Sequence, residues 1–359
     1  MKQLILPHGT IDLPAFLPDG TQGVVRSIDA ADLRRSRVQA VQMNAYHLMQ
    51  RPGSSTVRAL GGLHQMAGWD GPIFTDSGGF QVYSLIRQNS QNGSISDKGA
   101  TFRIESRKFN FTPEKSIQLQ MSYGSDVIIC LDDCTHADDD YAVQAESVRR
   151  TVAWARRCRT EFDRLVVEKQ LGDRERPSLI AVIQGGRSSD LRRQCADELL
   201  EIGFDGYGYG GWPLDADGNL VTDALAYTRE LVPPQFTVHA LGVGHPQNVV
   251  DCAAMGYNLF DSTMPTRDAR HGRLYAFSQP PSSISFQSTD WFHYVYAKDK
   301  KHIKDSQPLS SYCDCHTCTH FSLGYLHHLY KLNDNLYARL ATIHNLRFMT
   351  MLLERLREQ

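Results

Sequence analysis

The stretch LIAVIQGGRSSDLRRQCADELLEIGFDGYGYGG, residues 179–211, contains the two patterns that decide the fold. It opens with the apolar, β-rich run LIAVIQ (179–184), continues with the helical pattern SDLRRQCADELLEIG (189–203) and ends with a second run, GFDGYGYG (203–210). Strands that are apolar throughout are typical of a parallel sheet covered on both faces, and a helix connects one such strand to the next. The stretch therefore predicts a strand–helix–strand unit of an α/β protein.

The same alternation extends in both directions from this unit. Five further runs have the same character: VQAVQM (38–43), PIFTD (72–76), DVIICLD (126–132), VHALGVG (238–244) and YNLFD (257–261). Helical stretches lie between them, at 113–124, 140–162 and 248–256. Seven runs, with LYAF (274–277) as the candidate for an eighth, predict a closed (β/α)8 TIM barrel rather than an open sheet. The N-terminal 25 residues, rich in Gly and Pro, are predicted to form an added hairpin.

The last part of the chain departs from this alternation. Residues 280–312 show no clear period, and helical patterns return at 321–331 and 334–357. We therefore expect three parts, namely a barrel with its N-terminal hairpin over 1–279, an irregular segment with a small cysteine-rich subdomain over 280–333, and a helix over 334–359 that closes the barrel.

Composition and charge exclude several classes of protein. Of the 359 residues, 41% are hydrophobic and 22% are charged, as in ordinary soluble globular proteins. No apolar run reaches about 18 residues, and the apolar segment at the start is too short for a signal peptide, so we expect no membrane span and a cytoplasmic protein. A net charge of −2 argues against coating nucleic acid through bulk charge. It leaves room for two local basic stretches, RDARHGR (267–273) and KDKKHIK (298–304), each of which could equally be a solvated loop.

Polar residues and glycines follow the predicted strands. They are Asp76, Asp132, Gln184, the pair Gly210 and Gly211, and Asp261. Any single Asp here could be a helix N-cap, because Asp is a favoured cap. In a (β/α)8 barrel, however, the carboxyl ends of all strands meet at one face, where active sites lie. We therefore expect these residues to converge on one pocket.

Glycines beside these residues indicate the kind of ligand. They occur in DSGGFQ (76–81), in QGG (184–186) and in GYGYGG (206–211), and each could simply be a tight turn. Glycine also lets the backbone approach a flat ligand closely. Together with carboxylates and an amide, bare backbone suits a planar heterocycle such as a purine. Two carboxylates facing a sugar carbon are what glycosyl transfer needs, and Arg267 and Arg270 could hold the phosphates of a polynucleotide beside Asp261.

The C-terminal stretch CDCHTC (313–318) indicates a metal site. Three of the eight cysteines fall within it, and in a reducing compartment clustered thiols bind metal more often than they stay free. Structural zinc takes four ligands, so a histidine is expected to supply the fourth; the candidates are His316, His320, His327, His328 and His344. His316 is sterically poor because it lies inside the loop, and spacing does not choose among the others. Three thiolates and one imidazole leave no open position, so the site is expected to be structural.

The motifs together resemble the tRNA-guanine transglycosylases, or queuine tRNA-ribosyltransferases. The resemblance is carried almost end to end by LPHGTIDLPAFLPDGTQG, NAYHLMQRPG, FTDSGGFQV, FTPEKSIQLQMSYGSD, LDDCT, IQGG, GFDGYGYGG, LGVGHP, LFDSTMPTRDARHG and CDCHTC…HN. It implies a (β/α)8 barrel with a zinc subdomain inserted near the C-terminus. It also implies a ping-pong exchange of the wobble guanine of tRNA for a 7-deazaguanine base.

The resemblance implies a role for each matching residue. Asp261 corresponds to the nucleophile that forms a covalent intermediate with the ribose, and Asp76 to the general acid/base. The base-binding positions it implies are Asp76, Ser77, Gly78, Gly79, Phe80, Asp132, Gln184, Gly210, Gly211 and Leu241. The RNA-binding positions are Gly242, Val243, Gly244, His245, Thr266, Arg267, Asp268, Ala269 and Arg270. The zinc ligands are Cys313, Cys315, Cys318 and His344, and a homodimer interface is implied at Phe321, Tyr325 and His328.

The sequence departs from the family pattern after the glycine pair. Most bacterial relatives have Leu-Ala-Val-Gly-Glu there, whereas this chain has Trp212, Pro213, Leu214, Asp215 and Ala216. Trp212 adds a large ring at the rim of the base pocket, and Pro213 removes a backbone donor. Two other interpretations of the chain are a paralogue that inserts a deazaguanine into DNA and a non-catalytic partner subunit. The second is disfavoured because Asp76 and Asp261 are both present.

Overall fold

The structure is a computed structural model that describes residues 2–88, 93–104 and 107–359. Its strands are β1 (Gln3–Leu6), β2 (Gly9–Asp12), β3 (Ala15–Pro18), β4 (Val41–Asn44), β5 (Ile73–Asp76), β6 (Gly93–Ser96), β7 (Gly99–Ile104), β8 (Arg107–Phe111), β9 (Val127–Ile129), β10 (Ser178–Ile183), β11 (Gly206–Tyr209), β12 (Thr237–Ala240), β13 (Leu259–Ser262), β14 (Arg273–Phe277) and β15 (Phe292–Tyr296).

The helices lie mostly between the strands. They are α1 (Ala30–Arg35), α2 (Ala45–Gln50), α3 (Ser54–Ala59), α4 (Leu63–Ala67), α5 (Gly79–Gln88), α6 (Pro113–Tyr123), α7 (Tyr141–Glu168), α8 (Ser189–Ile202), α9 (Thr222–Leu231), α10 (Pro246–Ala254), α11 (Met264–Arg270), α12 (His316–His320), α13 (Leu323–Leu332) and α14 (Asn335–Arg357). None of the helices in the described ranges is both long and apolar enough to cross a membrane.

Eight parallel strands form the barrel. Their order around the sheet is β3, β13, β12, β11, β10, β9, β5 and β4. The first and last strands of this order also meet, because Asp19 forms a parallel bridge with Gln42 and the Gly20 N–H donates to the Gln42 carbonyl at 2.6 Å. The predicted (β/α)8 barrel is therefore confirmed.

The identity of the eighth strand differs from the prediction. The segment LYAF lies in β14, which pairs antiparallel with β15 outside the barrel. The eighth barrel strand is instead β3, which pairs with β13 and lies within the N-terminal segment assigned to a hairpin. Only β1 and β2 form that hairpin. The strand β3 was missed because it has only four residues, follows Pro14 and ends at Pro18, and prolines are typical of turns and strand edges.

The barrel interior is a packed apolar core, closed at one end by the hairpin. Inward side chains from five barrel strands form one buried cluster with hairpin residues; the members include Leu6, Ile11, Leu13, Ala15, Leu17, Phe74, Val127, Ile129, Ile180, Val182 and Leu259. The His8 N–H of the hairpin donates to the Asp126 carboxylate at 2.8 Å, directly before β9 begins. The hairpin therefore covers the amino ends of the strands and leaves the carboxyl ends open.

Glycines on β11 leave space at the open end. Gly206 and Gly208 stand in register with Ile180 and Val182, whose side chains point into the barrel. A Cβ on Gly208 would lie 3.1 Å from the Leu241 side chain, and one on Gly210 would lie 2.7 Å from the Gln184 side chain. Side chains at these positions would fill the upper part of the barrel. Their absence leaves a cavity above the apolar core.

The last helix ties the C-terminal segments to the barrel. Helix α14 packs against α11, β14 and β3. Its buried Asn345 donates to the carbonyls of Pro265 and Arg273 and accepts from the Tyr275 N–H, at 3.0–3.1 Å. One fully paired amide therefore joins three elements, which fixes α11 behind the open end of the barrel.

Candidate active site and metal centre

A cavity of about 480 Å³ opens at the carboxyl ends of the barrel strands. Twelve residues singled out from the sequence line it: Asp76, Ser77, Gly78, Gly79, Phe80, Asp132, Gly210, Gly211, Leu241, Gly242, Asp261 and Arg267. The cavity has the size of a small-molecule site. Of the strand-end residues predicted to converge on one pocket, Asp76, Asp132, Gly210, Gly211 and Asp261 line this cavity, whereas Gln184 does not.

Asp76 ends β5 and lies at the level of Asn44, the last residue of the neighbouring strand β4. Its carboxylate accepts hydrogen bonds from the Gly78 N–H and the Asn44 amide, both at 2.9 Å. Burial and then the nearby Asp261 carboxylate raise the pKa of Asp76 to about 8, against these two hydrogen bonds. At neutral pH, Asp76 is therefore mainly protonated and can donate a proton.

Asp261 lies on β13 with one oxygen bound and one free. Its Oδ1 accepts from the Gly242 N–H at 3.0 Å and lies 2.9 Å from Nε2 of the buried His239. Within the described part of the chain, its second oxygen accepts no hydrogen bond. A third acid, Asp19, lines the same cavity, and burial and the charge of Asp261 both raise its pKa. Asp261 is thus a held carboxylate with an oxygen available to a ligand.

Asp132 follows β9 and lies beside Gln184, which follows the neighbouring strand β10. Its carboxylate accepts from Nε2 of Gln184 at 2.7 Å, and burial raises the pKa of Asp132 to about 6 although this hydrogen bond lowers it. Gln184 is fully buried and does not line the cavity. Its Oε1 has no donor among the residues that the structure describes. Gln184 therefore stands behind Asp132 and retains an unused acceptor.

The DSGGF turn needs its first glycine. Gly78 has φ +77°, and a Cβ there would lie 2.4 Å from the Tyr46 side chain. The Ser77 hydroxyl accepts from the Gly79 N–H at 3.2 Å, at the start of α5. Phe80, the next residue, is 39% exposed and stacks on Trp212, with 5.3 Å between the ring centroids. The turn thus places an aromatic pair at the rim of the cavity.

The second glycine turn follows β11. Gly211 has φ +92°, which an L side chain rarely adopts. Burial raises the pKa of the Cys134 thiol, and the Gly211 N–H and the Gln184 side chain, which face its sulphur, act in the opposite direction. The Gly211 N–H therefore points into the pocket on the side of Cys134.

The residues expected to contact RNA fall into two groups. Gly242 and Arg267 line the cavity, and Arg270 and His245 are partly exposed. The others are buried; they are Val243, Gly244, Thr266, Asp268 and Ala269. Asp268 is bound by Arg273 and by the Tyr275 hydroxyl. The buried members support the surface from behind and have no side chain free to reach a ligand.

The second basic stretch follows β15, next to this surface. Its four lysines, Lys298, Lys300, Lys301 and Lys304, are exposed. The strand before them is attached to the loop after β12, because the Tyr294 hydroxyl lies 2.9 Å from Nε2 of His245. The stretch is therefore on the outside of the protein, and it follows a strand that contacts the loop after β12.

The cysteine cluster meets His344 in the fold. Cys313, Cys315, Cys318 and His344 are all buried, and their ligand atoms lie within 4.8 Å of one another. Nδ1 of His344 is 3.6 Å from the Cys315 sulphur and 3.3 Å from the Cys318 sulphur. Adjacent ligands of tetrahedral zinc would be about 3.6 Å apart. The residues therefore fit a four-coordinate metal ion.

The other histidine candidates lie elsewhere or face solvent. Nδ1 of the buried His327 is 2.8 Å from the Ala297 carbonyl, whereas His320 is exposed. Nε2 of His344 donates to the Tyr275 carbonyl at 2.6 Å, which fixes the ring with Nδ1 toward the thiols. Such an outer hydrogen bond is usual for a metal-binding histidine.

Three partners of the site were missed in the sequence. Asp19 follows β3, the strand that was not recognised. Asn44 is the last residue of β4 and directly follows the run 38–43, whose predicted end was one residue too early. His239 lies in the middle of VHALG, where a single histidine in an apolar strand is itself a signal. Each could have been found by asking which polar residues face the barrel interior.

We expect Cys315→Ala to abolish metal binding, because three ligands cannot complete the site, and to lower the temperature of unfolding, because metal binding is coupled to folding. Metal content per chain and thermal unfolding measure both effects. Cys252→Ala is the matched control, since Cys252 is buried outside the cluster. Full metal content in the Cys315 variant would contradict the assignment.

We expect Asp76→Asn to stabilise the protein increasingly as the pH rises from 5 to 8. The folded state holds a proton on Asp76 that the unfolded chain releases above its usual pKa of 3.8. Raising the pH therefore lowers the free energy of unfolding of the wild type, by at most about 1.4 kcal/mol per pH unit, and the variant escapes this loss. Thermal unfolding at several pH values measures the difference.

The control for this prediction is Asp70→Asn. Asp70 is exposed, and its hydrogen bond to Arg34 lowers its pKa. Asp70 is ionised in both the folded and the unfolded chain above pH 5. The difference in unfolding free energy between Asp70→Asn and wild type should therefore stay constant there. A difference that is equally constant for Asp76→Asn would mean that Asp76 is ionised in the folded protein.

Comparison with known proteins identifies the family. The family model described as "Queuine tRNA-ribosyltransferase" matches residues 1–359. A protein of Halothermothrix orenii with the same name is 38% identical over 359 residues, covering 99% of this chain and 89% of its own length. A second, from Solidesulfovibrio magneticus, is 38% identical with the same coverage, and a third, from a Thermoanaerobacter species, is 36% identical over 98% of this chain and 87% of its own. The chain therefore belongs to the queuine tRNA-ribosyltransferase family and is a pentosyltransferase.

Proposed function

We propose that this protein exchanges the wobble guanine of tRNA for a 7-deazaguanine base through a covalent intermediate. The observation that carries the proposal is the pair of carboxylates at one base-sized cavity, Asp76 mainly protonated and Asp261 with a free oxygen. A reaction in which one base leaves a ribose and another arrives needs one nucleophile and one group that moves a proton twice.

The two carboxylates divide the reaction between them. Asp261 attacks C1′ of the ribose, the bond from C1′ to N9 of guanine breaks, and the departing base takes the proton of Asp76. The incoming base then returns a proton from its N9 to Asp76, attacks C1′ and displaces Asp261. Each step balances, and both acids end as they began. A pKa of about 8 suits Asp76, because it can give and take a proton near neutral pH.

Base recognition is assigned to groups with complementary hydrogen-bonding character. Asp132 is mainly ionised at neutral pH, since its pKa is about 6, and accepts from N–H groups of the base. The Gly211 N–H donates to an acceptor on the base. The Gln184 amide reaches the base if it turns away from Asp132. Gly210, which has no side chain, lets the base lie close to the backbone. Phe80 and Leu241 supply the apolar faces between which a planar base fits.

The acceptor is assigned to tRNA because the relatives are named for tRNA. We assign phosphate binding to Arg267, which lines the cavity with Asp261, and to Arg270, which is partly exposed on the same helix; Gly242 and His245 are assigned to the same surface. Burial gives Val243, Gly244, Thr266, Asp268 and Ala269 the role of supporting that surface. A deazaguanine that is queuine or a precursor of queuosine enters beside Trp212 and Pro213, which line the cavity.

The metal centre is assigned to structural zinc. Three thiolates and an imidazole are the ligands that structural zinc prefers, and the cluster leaves no position for a reacting water. Zinc bound there would hold the segment 313–318 against α14 and take no part in the exchange. We assign the protein to the cytoplasm, whose reducing conditions keep the clustered thiols available.

The protein is also proposed to form a homodimer through α13. Phe321 and Tyr325 stack with 5.5 Å between their ring centroids, and Tyr325 is 39% exposed beside His328. Exposed stacked aromatics of this kind are common at the centres of protein interfaces.

The first experiment incubates the protein with labelled guanine and, in separate reactions, unmodified tRNA and duplex DNA. We expect label to enter tRNA, and we expect Asp261→Asn to lower the rate at least about 1,000-fold and to give no denaturation-resistant RNA adduct. Asp223→Asn, an exposed residue of α9, is the control.

Each alternative result has a separate meaning. Label in DNA alone would move the protein to DNA modification with the same two carboxylates. Absence of label from both would contradict base exchange and favour a partner subunit without activity of its own. An adduct in Asp261→Asn would show that another residue is the nucleophile.

We expect Tyr325→Glu to weaken the dimer by about 2 kcal/mol, roughly 30-fold in Kd, because a charge would be buried in the interface. Light scattering across a range of protein concentrations measures the mass. Tyr141→Glu, at an exposed position of α7, should leave the mass unchanged. A wild type that is monomeric at all concentrations would contradict the homodimer.

A further inference from the structure

A buried arginine lies behind the two glycine turns of the cavity. Arg192 belongs to α8 and is 1% exposed. Its guanidinium donates to three carbonyl groups, those of Gly186 at 2.8 Å, Ile183 at 2.9 Å and Gly210 at 3.0 Å. It also lies 4.0 Å from the centre of the Tyr209 ring. One side chain thus binds both turns, QGG after β10 and GG after β11.

Packing alone does not account for an arginine here. No carboxylate among the described residues pairs with this guanidinium, so a full charge is buried against carbonyl groups and one aromatic face. Removing a guanidinium from water is costly, and an apolar side chain of similar volume would often serve stability as well or better. The charge is offset by charge-assisted hydrogen bonds and by a cation–π contact. The role of Arg192 therefore lies in the three carbonyl groups that its guanidinium binds.

The bond to Gly210 sets the direction of a donor in the cavity. In a trans peptide the C=O and the following N–H point in opposite directions. Because Arg192 holds the Gly210 carbonyl, the Gly211 N–H must point away from Arg192, which is toward Cys134 and the pocket. Two successive glycines have no side chain to prevent this peptide from turning over. If it turned over, a carbonyl would face the ligand where an N–H stands now.

The other two bonds act on the first turn. The carbonyls of Ile183 and Gly186 flank Gln184, the residue behind Asp132. The turn also wraps closely around α8, since a Cβ on Gly185 would lie 2.7 Å from the Arg192 backbone nitrogen. Arg192 therefore fixes the position of Gln184 and the direction of the Gly211 N–H together.

We propose that Arg192 is a positioning residue that keeps the Gly211 N–H directed toward the ring carbonyl of the base. This donor then selects 6-oxopurines and their deaza analogues over 6-aminopurines. The proposal rests on the proposed function for the identity of the ligand. Arg192 touches no ligand itself, and it acts through the Gly210–Gly211 peptide and Gln184.

The test compares two bases that differ at position 6. Guanine carries an acceptor there and 2,6-diaminopurine a donor. Competition by each against labelled guanine, and direct binding of each by calorimetry, are measured for wild type, Arg192→Lys and Arg192→Met. We expect the preference of the wild type for guanine to fall at least ten-fold in both variants, since neither makes all three bonds. Arg193→Met, exposed on the same helix, should keep the wild-type preference.

The preference separates positioning from general damage. A purely structural role would weaken the binding of both bases equally and leave their ratio unchanged, and that result would overturn the proposal. If both variants unfold, Arg192→Gln makes the same test, because a neutral amide has at most two N–H donors for the three carbonyl groups; an unchanged ratio there overturns it too. A wild type that binds neither base and exchanges none contradicts the proposed function, whereas a selective wild type with equally selective variants contradicts only the role of Arg192.

Discussion

Two carboxylates brought together in a poorly solvated cavity constrain this structure most strongly. Asp76 and Asp261 come from different sides of the barrel, and the charge of Asp261, added to burial, raises the pKa of both Asp76 and Asp19. The backbone partly offsets this cost, since Asp76 accepts the N–H of Gly78 in the loop after its own strand and Asp261 accepts the N–H of Gly242 in the loop after the neighbouring strand β12. Asp76 thus holds a proton near neutral pH, and Asp261 presents an oxygen that accepts no hydrogen bond from any residue that the structure describes.

The cavity exists because the inward-facing positions of one barrel strand, β11, carry no side chains. On β11 the inward positions are glycines, and the space they leave lies directly above the apolar plug of the barrel. Glycine lowers the stiffness of a strand end, so the same feature that makes room also makes the wall soft. The buried guanidinium of Arg192 lies outside that wall and binds its carbonyl groups, which restores a fixed arrangement without filling the cavity.

The C-terminal cluster of thiols and one imidazole also brings together groups that are distant along the chain. Its thiols come from the short segment 313–318, and its imidazole from the long helix α14. The Tyr275 carbonyl orients that imidazole from β14, and Asn345, one residue along, binds β14 and α11. A metal held there would connect the cluster to elements that support α11, the helix that carries Arg267. The candidate metal centre and the cavity are thus linked through packing.

Much of this could be predicted from local sequence. Apolar runs alternating with helices predicted the (β/α)8 barrel, because buried parallel strands must be apolar on both faces. Polar residues after those runs predicted the cavity, because parallel strands bring their carboxyl ends together. The CxCxxC spacing predicted a metal site, and the resemblance to the family added His344. LYAF was wrong as the eighth strand, since four apolar residues form an outer hairpin as readily as a barrel strand, and β3 was hidden by its prolines.

Tertiary structure decided which distant groups touch. That Asn44 and His239 contact the two carboxylates, that Gln184 stands behind Asp132, and that Arg192 joins two turns follow only from closure and register of the barrel. The sequence by itself determined the order of strands and helices, the polar residues at the strand ends and the cluster of thiols, because these depend on neighbours along the chain. The burial that shifts the pKa of Asp76, and the direction of the Gly211 N–H, depend on neighbours in space, and only the folded barrel supplies them.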